Sequence, residues 1–205
     1  MRNVHSFNLE RRCGMCGLHL EICLCRDLPV FAPALPLVFL QHVQEATKPT
    51  NTARLACRIL STASILPWDR TAPPSPGPGA ILLYPLEGAP PLTADDLVDH
   101  PAVFVPDGTW AQGSRMANVL SHRPGWNARR LPDGILARWS VRRSGAADRV
   151  STAQAAASVL EIAGENAASD CLLTTLEEVG TRLLRMRGVM PSHWAPVPSL
   201  PPRPW

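Results

Sequence analysis

Ala102-Val103-Phe104-Val105-Pro106-Asp107-Gly108-Thr109-Trp110 is the stretch on which the fold turns. Its first four residues are apolar and read as a buried strand. Pro106-Asp107-Gly108 stops that strand, and the residues from Trp110 to Leu120 read as a helix. Working outward, Leu37-Val38-Phe39-Leu40-Gln41 is another buried strand, ending at His42. A helix opens soon after, near Pro49, with Thr50 or Asn51 as cap and Ala53, Leu55, Ala56, Ile59 and Leu60 as its apolar face. Ala80-Ile81-Leu82-Leu83-Tyr84 makes a further strand, and residues 136–141 suggest a fourth. An alanine-rich helix covers 151–163, capped by Ser151 or Thr152. Leu172 to Met186 is amphipathic, with Leu172, Leu176, Val179, Leu183 and Met186 near one face, and Gly188 and Pro191 end it. Strands alternating with helices predict an α/β fold with a mainly parallel sheet flanked by helices. Ligands in such sheets bind at the carboxyl ends of the strands. The unusual polar residues fall there: His42 and Glu45, then Glu87 and Gly88, then Asp107 to Trp110.

The chain of 205 residues suits one domain with modest extras, and 45% apolar residues suffice for a core. Charged residues at 18% argue against a wholly disordered chain. Many of the 22 prolines fall in a predicted surface loop, 67–79, and in a tail, 191–205, expected to be mobile. Residues 1–28 read as a small knuckle, Pro29 to Pro36 as a connector, and 29–190 as the α/β domain. The net charge of +3 decides little. Arg115, Arg123, Arg129, Arg130, Arg138, Arg142, Arg143 and Arg149 share one stretch, however, and arginine suits bidentate phosphate contacts; Arg-rich codon usage explains the same composition. The first residues hold no apolar run for a signal peptide, and no stretch has the length to span a membrane, so a cytoplasmic protein with reduced cysteines is expected.

Cys13-x-x-Cys16 is followed by Cys23-x-Cys25. Four thiolates this close can wrap one tetrahedral zinc, and Gly14 and Gly17 allow the tight turns. Two disulfides or unconnected core cysteines are the alternatives. A Cys-x-Cys pair is poorly placed to bond to itself, and a reducing compartment disfavours both bridges. With four protein ligands the site is closed, so the zinc is structural. Cys57 and Cys171 fall on apolar helix faces and read as core.

His42-x-x-Glu45-x-x-Lys48-Pro49-Thr50-Asn51-Thr52-Ala53-Arg54 follows a strand and opens a helix, where free N–H groups attract a phosphate or carboxylate. Lys48, Asn51 and Arg54 add donors; an ordinary capped helix with a charged face is the plainer alternative. Tyr84-Pro85-Leu86-Glu87-Gly88-Ala89 follows a strand, and Gly88 would let a ligand approach the backbone closely, but by itself the segment reads as a plain turn. In Asp107-Gly108-Thr109-Trp110 the aspartate can serve as a base and the tryptophan as a stacking platform. An Asx turn, a threonine cap and a core tryptophan account for the same residues.

Together these segments resemble the DTW-domain family. The matching residues are Cys13, Cys16, Cys23 and Cys25; His42, Glu45 and Lys48-Pro49-Thr50-Asn51-Thr52; Tyr84-Pro85 with Glu87-Gly88-Ala89; Asp107-Gly108-Thr109-Trp110; and Ser151-Thr152-Ala153-Gln154-Ala155, over about residues 11 to 160. The resemblance implies a tRNA-uridine aminocarboxypropyltransferase that moves the aminocarboxypropyl chain of S-adenosylmethionine, its donor substrate, rather than the methyl. It also implies a SPOUT-like α/β fold similar to that of the knotted SPOUT methyltransferases. One departure is that family members usually carry Glu where this chain has Gln154; Gln keeps the shape and an acceptor oxygen without the charge.

On this reading Asp107 removes or steers the imino proton of uridine, or holds the amino group of the donor, with His42 and Glu45 as further catalytic candidates. Tyr84, Pro85, Glu87, Gly88, Thr109, Trp110, Ser151, Thr152 and Gln154 are the candidates for the donor pocket. Lys48, Asn51, Arg54, Arg142 and Arg143 are the candidates for tRNA phosphates, and a monomer is expected. The rival readings are a SPOUT-type RNA methyltransferase and a non-enzymatic zinc-knuckle RNA-binding protein.

Overall fold

The structure is a computed structural model, and it describes residues 11–48, 50–138 and 150–186. Five strands form one parallel sheet: β1 (Leu37–Gln41), β2 (Ala63–Pro67), β3 (Ile81–Leu83), β4 (Val103–Asp107) and β5 (Asn127–Arg129), in the order β2-β1-β4-β3-β5. Four helices cover it: α1 (Thr52–Ile59), α2 (Trp110–Ser121), α3 (Thr152–Ile162) and α4 (Asn166–Met186). This is the α/β architecture with a mainly parallel sheet that the alternating pattern predicts.

The three inner strands are buried on both faces, which is why they read as unbroken apolar runs. Successive side chains point to opposite faces. Leu37, Phe39, Ile81, Leu83, Val103 and Val105 pack under α1, α3 and α4 in the larger core. Leu40, Leu82 and Phe104 face the other way and pack with Ala117 and Leu120 of α2. The N-terminal knuckle adds Leu18 and Ile22 to the larger core and packs against α4.

Several sequence expectations shift. β5 at 127–129 is a strand that the apolar pattern does not single out. Residues 136–138 have no strand conformation, and 139–141 lie outside the described residues. Asn127-Ala128-Arg129 carries no apolar run, because it is an edge strand held by its backbone pairing to β3. β2, also an edge, overlaps the start of the stretch read as loop at 67; Pro67 is tolerated there because an edge strand leaves one side of its backbone unpaired. β4 runs on through Pro106 and Asp107, past the expected stop. Its pairing with β3 ends at Phe104, so the missing N–H of Pro106 is not needed on that side. α4 begins at Asn166 rather than Leu172. The tail 191–205, Gly188 and Pro49 lie outside the described residues.

Candidate active site

The parallel sheet delivers the carboxyl ends of β3, β4 and β5 to one edge, and a cleft of about 890 Å³ opens there. Each wall has a local cause. Tyr84 and Pro85 continue β3, and Asp107-Gly108 leaves β4 for α2. Thr109 caps α2 in a reciprocal capping box: its hydroxyl accepts from Gln112 N–H at 3.3 Å, and its own N–H donates to Gln112 Oε1 at 2.7 Å. Ser151 caps α3 by accepting from Gln154 N–H at 3.2 Å. Thr50, Thr52, Val150, Ser151 and Thr152 bring the starts of α1 and α3 into the lining.

Asp107 ties these elements together. It is 3% exposed yet lines the cleft. Its carboxylate accepts from Asn51 Nδ2 at 2.6 Å, Thr152 Oγ1 at 2.8 Å and Gln41 Nε2 at 3.3 Å. Asn51 is the cap of α1, Thr152 is the first residue of α3, and Gln41 ends β1, so one side chain joins four elements. Burial pushes the Asp107 carboxyl above the usual carboxylate range. The bonds from Asn51, Thr152 and Gln41 pull it back in part, and the nearby charge of Glu45 adds to the rise.

Tyr84 and Trp110 form the aromatic wall, their ring centroids 5.7 Å apart and tilted by 46°. The Tyr84 hydroxyl donates to Trp110 O at 2.9 Å. Gly113 makes room for this: a Cβ there would sit 2.9 Å from Tyr84 Cε2. The opposite wall is the segment after β5, Arg130 to Ile135, shaped by a bidentate pair between Arg130 and Asp133 at 2.6 and 3.2 Å and by Gly134 at a φ of 87°. This wall was not among the sequence candidates. Its Pro132-Asp133-Gly134 turn is visible as a turn, but only the order of strands in the sheet sets it opposite Asp107.

The other candidates fall elsewhere. Glu45 is fully buried and pairs with Lys48 Nζ at 2.6 Å, which places both in an ion pair that braces the turn before α1. Arg54 donates to Ala46 O and packs beneath Gly17 of the knuckle. Asn51 is buried and serves Asp107, so it offers nothing to an external phosphate. His42 caps its own 3-10 turn, accepting from Gln44 N–H at 3.2 Å, and faces a second groove on the other side of α2. Glu87 and Gly88 are exposed and outside the cleft lining, and the φ of 75° at Gly88 marks a plain tight turn. Arg142 and Arg143 lie outside the described residues.

Gln154 is 2% exposed. Its Nε2 donates to Leu136 O at 2.6 Å while its Oε1 accepts from Arg138 N–H at 2.8 Å. It thereby clamps the backbone that continues directly from the Arg130–Ile135 wall. An ionised carboxylate of the same shape could accept from Arg138 N–H but could not donate to Leu136 O.

The four cysteines of the knuckle bring their sulfurs within 4.8 Å of one another, with Cys16 and Cys23 at 3.8 Å, and none is in a disulfide. Tetrahedral ligands at a metal–sulfur distance of about 2.3 Å stand roughly 3.8 Å apart, so the cluster can hold a metal ion. Burial pushes the Cys16 thiol up and that of Cys25 to about 12. At Cys13 burial is outweighed by the N–H groups of Cys16 and Met15, which bring the thiol down to about 7. None of the four lines the cleft. Cys57 and Cys171 pack against the main core, and burial raises Cys57 to about 11. No helix among the described residues is long and apolar enough to cross a membrane.

In fold the chain is similar to the SAM-dependent rRNA acp-transferase Tsr3 from Vulcanisaeta distributa, with a TM-score of 0.53 and 23% identity over 75% of this chain and 79% of that one. The DTW-domain family model matches residues 10–184, which takes in the knuckle, the sheet, the cleft and all four helices up to Leu184. The chain belongs to the DTW-domain family.

Proposed function

We propose that the protein transfers the aminocarboxypropyl group of S-adenosylmethionine to a base in RNA, and that the base is a uridine of tRNA. The observation that carries this is the cleft itself: in a DTW-family chain, the Asp107-Gly108-Thr109-Trp110 segment and the start of α3 form its floor and wall. The fold likeness to a protein described as a SAM-dependent rRNA acp-transferase supports the donor and the RNA class of acceptor.

In the reaction the lone pair of the uridine imino nitrogen forms a bond to the methylene carbon beside the sulfonium. The carbon–sulfur pair stays with sulfur, methylthioadenosine leaves, and the imino proton passes to water. Sulfonium is a good leaving group, so holding the two partners in line supplies much of the catalysis. The side chains divide that task. Tyr84 and Trp110 offer faces for the adenine, and the N-terminal end of α2 suits the donor's carboxylate. Asp107, already accepting from three donors, is a positioning residue that sets the three helix starts around the cleft and places negative charge near the sulfonium. Gln154 positions the far wall. The cysteine cluster holds a structural zinc that fastens the knuckle to α4.

The test is mass spectrometry of nucleosides and small products after incubation with S-adenosylmethionine and either unmodified tRNA or ribosomal RNA. A uridine of tRNA gaining the aminocarboxypropyl mass, with methylthioadenosine released, is the expected result. A methylated nucleoside with adenosylhomocysteine would replace this reading by that of a methyltransferase. Transfer to ribosomal RNA alone would move the acceptor.

A further inference from the structure

A second groove, of about 750 Å³, lies across the first turns of α2 from the cleft. It is floored by Trp68 and Met116 and rimmed by His42, Val43, Arg70 and Arg115. Three features set it apart. The first is charge. Most arginines of the described residues are engaged: Arg129 with Asp96, Arg130 with Asp133, Arg182 with Glu178, Arg54 and Arg58 with backbone carbonyls. The guanidinium groups of Arg70 and Arg115, like those of Arg11, Arg26 and Arg123, are exposed and have no hydrogen bond or ion pair among the described residues, and these two share one groove. The groove's one acid, Asp69, is turned back on its own loop, accepting from Thr71 N–H at 2.8 Å and Thr71 Oγ1 at 2.7 Å.

The second feature is apolar surface beside that charge. Val43 is 74% exposed, and Trp68 is half-buried and packs against the smaller core. An aromatic ring flanked by unpaired guanidinium groups suits stacked bases with phosphates alongside. The third is position. Trp110, Ala111 and Gly113 of α2 line the cleft while Gln112, Arg115 and Met116 line the groove, and Gln112 Oε1 accepts from the N–H of Thr109, a cleft residue, at 2.7 Å. Cleft and groove are therefore separated only by the first turns of one helix, a span of about 10 Å.

We propose that this groove binds the single-stranded nucleotides adjoining the reacting base, with Trp68 as stacking platform and Arg70 and Arg115 on the phosphates. The inference rests on the proposed RNA acceptor. It moves the RNA contacts from Lys48, Asn51 and Arg54, which are held in internal bonds, to side chains that are free to make them.

The test uses the full-length protein and a labelled, unstructured oligouridylate of roughly ten nucleotides, read by fluorescence anisotropy across a salt series. The double variant Arg70→Ala/Arg115→Ala is expected to weaken binding roughly tenfold and to lower the salt slope by about 1.4, at ~0.7 per phosphate lost from a single strand. Trp68→Leu, which keeps apolar packing, should weaken binding with little change in slope. Arg123→Ala, an equally exposed arginine beyond the far end of α2, serves as the charge control. Equal losses from Arg123→Ala and from either groove arginine would reduce the effect to net charge and overturn the groove. So would undiminished binding by the double variant, or equal binding of a polyglutamate peptide of matched charge. Product analysis read together with oligonucleotide binding separates the two proposals. Wild-type transfer of the aminocarboxypropyl group with the double variant unimpaired leaves the reaction standing and the groove refuted. Methylation by wild type, with oligonucleotide binding lost in the double variant, does the reverse.

Discussion

Asp107→Ala and Asp107→Asn should behave very differently, and the hydrogen bonds say by how much. Removing the carboxylate leaves the amide groups of Asn51 and Gln41, both buried, without their acceptor. Each orphaned buried donor costs about 1–3 kcal/mol. The Thr152 hydroxyl can turn away, and relief of the buried charge offsets part of the loss, so the net cost is about 2–4 kcal/mol. At roughly 2–4 °C per kcal/mol for a chain of this size, Asp107→Ala should lower Tm by about 4 to 16 °C. The asparagine keeps an oxygen toward Asn51 and Gln41 and turns its amide toward Thr152 Oγ1, whose hydroxyl can accept. All three bonds survive without charge assistance, at a cost of about 1 kcal/mol. Scanning calorimetry at neutral pH measures both. The same pair gives a pH signature. Burial raises the folded-state carboxyl of Asp107, so the protonated form is favoured on folding. Wild-type stability relative to the Asn variant should therefore be greatest below the unfolded value of about 3.9 and should be lost as pH rises through the folded value. An alanine variant melting within about 2 °C of wild type, or an Ala–Asn pair that melts together, would refute the hub. Activity is then best read in Asp107→Asn, where loss of transfer reports on charge rather than on folding.

Two further outcomes follow from the bonding. Gln154→Glu should loosen the Arg130–Ile135 wall at neutral pH, because a carboxylate oxygen would face Leu136 O where an amide now donates at 2.6 Å. Protonation restores the donor, so donor affinity by calorimetry should approach wild type near pH 5 and fall several-fold by pH 8; equal affinity at both would refute the clamp. The full-length protein should also carry one zinc per chain by elemental analysis. A strong chelator should lower its Tm, because Leu18 and Ile22 are held in the core by the chain between the cysteine pairs; an unchanged melting curve with the metal stripped would remove its structural role.

The inner strands, the four helices and the cysteine knuckle were legible because each is decided locally. β1, β3 and β4 are apolar on both faces since both faces are covered, and α3 and α4 repeat their apolar residues at helical spacing. The edge strands were not legible. β2 and β5 are defined by backbone pairing to a neighbour, which leaves little trace in side-chain pattern, and over 136–138, the described part of the stretch expected as a strand, the backbone is clamped by Gln154 instead.

What the sequence by itself determined is which residues stand at the ends of strands and the starts of helices, and hence that Asp107, Trp110, Tyr84, Ser151 and Thr152 are candidates at all. Tertiary structure alone decided which of those ends meet. His42, Glu45 and Lys48 also follow a strand end, yet an ion pair takes two of them and the body of α2 turns the third into a separate groove. The physical reason is that a strand end is a local property of the chain, whereas a shared cavity depends on strand order and on which side chains find partners inside the fold. Neither of those is carried by spacing along a single chain.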